Sequence, residues 1–90
     1  PWDGAVMIAA TDIYWEADER GNLHATVQGP ERPYRVATLI RTYTDGWPQA
    51  WSVRYHTGGS WRLVGEVISN TDRAKRTAIE QLMNAGRVTI

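Results

Sequence analysis

Residues 34–68 read YRVATLIRTYTDGWPQAWSVRYHTGGSWRLVGEVI, and their punctuation decides the fold. Two glycine-centred breaks, Asp45-Gly46 and Gly58-Gly59-Ser60, cut the stretch into three β-rich runs: Tyr34–Tyr43, Ala50–Thr57 and Trp61–Ile68. Runs rich in Val, Thr, Tyr and Trp between such breaks read as antiparallel strands joined by hairpins. If Asp45-Gly46 is a two-residue type I′ loop, Ile40 opposes Trp51, Thr38 opposes Val53 and Val36 opposes Tyr55. In the second hairpin a two-residue Gly58-Gly59 loop would oppose Tyr55 to Arg62 and mix the faces. A three-residue loop, Gly58–Ser60, opposes Tyr55 to Leu63, Val53 to Gly65 and Trp51 to Val67. Because a one-residue slip turns every side chain over, the second register is the expected one. One face then carries Val36, Ile40, Trp51, Val53, Tyr55, Trp61, Leu63 and Val67, and a helix should pack on it. The other carries Arg35, Leu39, Arg41, Ser52, Arg54, His56, Arg62, Val64 and Glu66.

Upstream, residues 12–28 hold a second hairpin. Ile13, Trp15 and Ala17 alternate with Tyr14 and Glu16, Arg20-Gly21-Asn22 turns the chain, and Leu23, Ala25 and Val27 alternate with His24, Thr26 and Gln28. Gly29–Pro33 is a loop, because neither of its prolines can donate to a ladder. Downstream, Ala74, Ala78, Ile79, Leu82 and Met83 recur at helical spacing, predicting a helix over about residues 70–85. Ser69 or Asn70 supplies its N-cap and Gly86 its stop, with Arg87–Ile90 a tail or a short edge strand. The expected architecture is therefore α+β: an antiparallel sheet of about five strands, from hairpins 12–28 and 34–68, with one C-terminal helix on one face.

The 90 residues are one domain (1–90), since two cores cannot be built from so short a chain. There is no cysteine, which excludes a disulfide scaffold, a thiolate zinc site and a cysteine nucleophile. No apolar run approaches the ~20 residues of a membrane span, and no secretory signal pattern opens the chain, so the expected setting is soluble and cytoplasmic. Nine arginines against one lysine, with no phenylalanine, fit a high-G+C source such as an actinobacterium or its phages. Ten bases balance ten acids, yet the sum conceals a gradient: up to Pro33 the net charge is −4, and from Tyr34 onward it is +4. Such asymmetry points either to a charged partner or to halves that pair with each other.

The second face is the leading functional candidate, because Arg35, Arg41, Arg54, His56 and Arg62 alternate across three strands with only Glu66 opposing them. The competing description is an ordinary solvated sheet face. A helix of about fifteen residues, ~22 Å long and ~10 Å wide, cannot cover five strands spanning ~24 Å, so either the sheet curls strongly or a second copy or a partner covers the remainder, with a homodimer the expected form. Trp15, Trp51 and Trp61 fall on the predicted buried face, while Trp47-Pro48 follows a tight turn and is either an exposed partner anchor or folded back over the sheet end. Catalytic patterns do not assemble. His24 and His56 lie on different hairpins without a second histidine at metal spacing, and Ser52, Ser60 and Ser69 lack a nucleophile elbow. Glu16 and Asp18 have no second carboxylate pair, and Pro1 has no arranged pocket to make its amine a base. No enzyme activity, metal or cofactor is expected.

Residues 34–86 run in the order three strands then helix, with Tyr34-Arg35, Trp51, Val53-Arg54, Leu63–Val67, a Ser69 cap and an alanine-bearing helix (Ala74, Ala78). This pattern resembles the AP2-type DNA-binding unit, including the arm-binding domains of tyrosine integrases. The resemblance implies a sheet that enters the major groove, with Arg35, Arg54 and Arg62 at the reading positions. Val36 and Ala37 depart from it, standing where that family has a glycine and a second arginine, and residues 1–33 have no counterpart in it. The expectation is thus a small non-enzymatic binding protein that engages DNA or another polyanion through the arginine face. The alternative is a protein–protein module, or a small phage or host modulator, acting through exposed tryptophan and uncovered sheet.

Overall fold

The computed structural model describes residues 7–90. Pro1, considered above as a terminal amine, lies outside the described residues. The elements are β1 (Ile8–Ala9), a 3-10 turn (Ala10–Asp12), β2 (Tyr14–Ala17), β3 (Leu23–Gln28), β4 (Pro33–Thr44), β5 (Trp47–His56), β6 (Trp61–Ile68), α1 (Thr71–Asn84) and β7 (Val88–Thr89). Strands β2 to β6 form one antiparallel sheet in sequence order, and β1 pairs in parallel with β7. This is the α+β arrangement expected, with α1 packed on one sheet face.

Helix α1 starts where Asn70 Oδ1 accepts the Arg73 N–H at 2.8 Å, and Asp72 sits in its first turn near the positive end of the dipole. It stops at Gly86, whose φ of +76° suits the left-handed C′ position, with the Arg87 N–H reaching back to the Leu82 carbonyl at 2.9 Å. Ala74, Ala78 and Leu82 are fully buried against Leu39, Trp51, Val53 and Ile68. The helix does not cover this side alone. Lys75 lies over the Trp15 ring, and Ile8 and Val88 of the β1–β7 pair are buried, which closes the core beside the first hairpin. On the helix side α1, Lys75 and the β1–β7 pair cover the core, and Trp61, Leu63 and Val67 stand exposed on the opposite face.

The strand register differs from the expected one because of a bulge in β5 and a shorter second turn, and two further bulges lie in β4 and β6. Asp45 and Gly46, at φ +52° and +81°, do form a two-residue turn closing Thr44 onto Trp47. Gln49 is then extra in β5, so Ile40 meets Ser52, Leu39 meets Val53 and Arg41 meets Trp51. The Thr42 hydroxyl heals this break, accepting the Ala50 N–H and donating to the Ala50 carbonyl, both at 3.1 Å. The second hairpin takes the two-residue loop rejected above: Thr57 N–H bonds the Ser60 carbonyl, and Tyr55 meets Arg62. Between Arg54–Leu63 and Ser52–Val67 the β6 strand bulges by two residues, and Val36 is extra in β4 opposite Ala25–Thr26. Three corrections follow. Leu39, placed outside from sequence, is core, and Val64 packs partly against that core; Ile40, Trp61, Leu63 and Val67, placed inside, belong to the face away from α1.

Candidate functional site

Among the candidate residues, the face away from α1 keeps Arg35, Arg54 and His56 and loses Arg41 and Arg62. Arg41 opposes Trp51 and its guanidinium stacks 3.9 Å from the centre of that ring on the helix side. Arg62 opposes Tyr55, which packs against the core, and so points to the helix side at the edge of the sheet. The five-residue cationic cluster expected from sequence is thus divided between two faces. His56 adds no charge to it near neutrality. Burial, and then the neighbouring Arg87 guanidinium, hold its imidazole below the ordinary histidine range, while its Nδ1 accepts the Gly58 N–H at 3.2 Å. Arg87, buried beyond α1, donates from Nη1 to the His56 carbonyl at 2.6 Å.

Apolar groups fill the space that the arginines leave. Trp47, Trp61, Leu63 and Val67 are 73, 49, 60 and 62 % exposed. Alternation along β4, β5 and β6 puts all four on the face away from α1, together with half-buried Ile40. Leu63 opposes Arg54, Val67 opposes Ser52 and Trp61 opposes His56, whose ring it meets edge-on at 5.2 Å. A shallow cleft of about 200 Å³ opens between Thr38, Ile40, Arg54 and Trp61. Trp47 and Pro48, candidates as a partner anchor, are both exposed at the β4–β5 tip.

One polar network, centred on a buried histidine, was not anticipated. His24 is buried in β3 with its Nε2 2.8 Å from Asp18 Oδ2 and its Nδ1 3.0 Å from Thr38 Oγ1. The other Asp18 oxygen accepts the Arg20 and Asn22 N–H groups, so one carboxylate holds both the β2–β3 turn and the histidine. The order Asp–His–Thr is that of a nucleophilic triad, but Thr38 sits mid-strand between two ladders that consume the neighbouring amides needed for an oxyanion. The network ties the β2–β3 turn to β3 and β4. The bond from His24, followed by the two backbone bonds, holds the Asp18 carboxyl down at about 2 from an ordinary 3.8. A carboxylate held below its ordinary value stabilises the fold above that value and ceases to do so once protonated. Stability is therefore expected to drop as pH falls from 3.8 towards about 2, and Asp18→Asn to flatten that part of an acid-unfolding curve followed by circular dichroism.

Among the described residues no three His, Asp or Glu side chains stand together as a metal site, and no helix is long and apolar enough to cross a membrane. No protein-family model, no curated protein and no solved structure matches this chain.

Proposed function

We propose that this chain is a protein-binding module that works through the sheet face turned away from α1. The observation that carries the reading is the run of Trp61, Leu63 and Val67 along β6, each about half exposed or more, on a face where antiparallel sheets ordinarily present polar side chains. Exposed apolar patches of this kind mark interaction surfaces, and tryptophan is the residue type that most often dominates their energetics. The test is capture from a nuclease-treated cell lysate by the wild-type chain and by Leu63→Ser/Val67→Ser. Both substitutions are on the surface, where changes lie within about 0.5 kcal/mol, so the fold should survive with little change in Tm. Proteins retained by wild type and released by the double variant are the expected result. Equal retention by both sinks the reading.

A second reading, DNA or polyanion binding, is favoured by a different observation: Arg35 and Arg54 share this face. It requires duplex affinity that falls steeply with salt, with a shallower slope in Arg54→Ala.

A further inference from the structure

Resting on the protein-binding reading, we infer that the occupant of this face is an acidic, apolar protein segment. One large apolar side chain sits in the cleft between Thr38, Ile40, Arg54 and Trp61, and an adjacent carboxylate pairs with Arg54. The cleft sets the first half of this recognition. Its volume of about 200 Å³ lies below the roughly 300–1,000 Å³ of sites that enclose a small-molecule ligand, and Trp61, Ile40, Thr38 and Arg54 line it. A single leucine- or phenylalanine-sized group suits it, with Leu63 and Val67 forming an apolar shelf beside it.

Arg54 sets the second half. It is exposed, it opposes the uncharged Thr38 and Leu63, and no carboxylate among the described residues pairs with it. The acids nearest it on the sheet are engaged or remote. Glu66 lies in the β6 bulge and is drawn 3.8 Å from Arg73 of α1. Glu16 lies in the same cross-strand row but on β2, three strands away, or ~14 Å at the usual strand spacing. Arg35 differs, because it shares a cleft with Asp18 and Glu19. Arg54 therefore stands as an uncompensated, planar, bidentate donor against apolar walls, where a carboxylate is the matching group.

Charge also disfavours a second copy as the occupant. A two-fold axis through the apolar patch would bring two Arg54 guanidinia together. Pairing Arg54 with Glu16 of a second copy places the axis between β3 and β4, and that leaves Leu63 and Val67 of β6 outside the interface.

The test is selection from a random peptide display library on the full chain, on Arg54→Glu and on Leu63→Ser/Val67→Ser. Wild type is expected to enrich peptides in which Leu, Phe, Ile or Met is flanked by Asp or Glu. Arg54→Glu should turn the flanking preference to Lys or Arg, and the double variant should bind the selected peptides at least about tenfold more weakly. Apolar peptides without acidic bias, or the same bias on Arg54→Glu, overturn the acidic assignment and leave the protein-binding reading standing. Failure to enrich any clone that distinguishes wild type from the double variant overturns both. A short DNA duplex that displaces the selected peptides, and loses affinity in Arg54→Glu, overturns the inference in favour of nucleic acid.

Discussion

Trp51→Ala is expected to unfold most of the chain at physiological temperature. Trp51 is buried at the centre of β5, its Nε1 donates to Thr71 Oγ1 at the start of α1 at 2.9 Å, and Arg41 stacks on its outer ring face. One side chain thus joins β4, β5 and the helix entry. Truncating a buried aromatic to alanine costs about 3–5 kcal/mol, against a total of roughly 5–15 kcal/mol for folded domains and less for small ones. At ~4–8 °C per kcal/mol for a chain of this size, Tm should fall by more than about 12 °C in a thermal melt. Trp51→Phe separates the contributions. It keeps most of the packing but loses the hydrogen bond and weakens the stack, so a loss of about 1–2 kcal/mol is expected. A melt of Trp51→Ala within a few degrees of wild type would mean that the helix is not anchored through this ring.

The second large effect comes from paired deletions in β5. Deleting one residue from a strand ordinarily exchanges its two faces. Deleting Gln49 should not, because it removes the bulge and leaves Thr42 opposite Ala50, Arg41 opposite Trp51 and Leu39 opposite Val53. A dispersed amide spectrum and a cooperative melt are expected for that variant. Deleting Ser52, three residues further on, has no such escape. Either Val53 and Tyr55 turn outward, or the strand slides through the bulge and Trp51 turns outward instead. Loss of the cooperative transition is expected. A folded Ser52 deletion beside an unfolded Gln49 deletion would contradict the register described above.

These deletions also show where the sequence is legible. Element order and type follow from local signals: alternation over Leu23–Val27, positive φ demanded at Asp45-Gly46, Asn70 and Gly86 bounding a helix with Ala74, Ala78 and Leu82 inward. In β5 the apolar parity is unambiguous, and Trp51, Val53 and Tyr55 face the helix side as read. In β4 it is not, because Val36 and Ile40 lie on one parity and Ala37 and Leu39 on the other. In β6, Trp61, Leu63 and Val67 compete with Val64 and Ile68. A pattern that is apolar on both parities carries no register, and a bulge leaves no mark in composition. The choice fell to loop length, which was correct at Asp45-Gly46 and was cancelled four residues later by Gln49. The arginine cluster inherited that error at Arg41, while Arg62 changes sides because the second hairpin turns in two residues where three were expected. The Asp18–His24–Thr38 network was out of reach for another reason: it depends on a turn folding back over a strand, and neither spacing nor residue type marks it.

The parallel β1–β7 pair has a mechanical consequence. The two strands lie side by side and run the same way, with the Ile8 N–H held 2.9 Å from the Arg87 carbonyl. Tension applied between residues 7 and 90 therefore pulls them along their axes in opposite directions. Their hydrogen bonds share that load in shear instead of being peeled one at a time, and the buried Ile8 and Val88 side chains must slide together. Force would meet its first resistance at this seam. Heat has no such preferred direction, so a stretched chain and a warmed one should come apart in different orders.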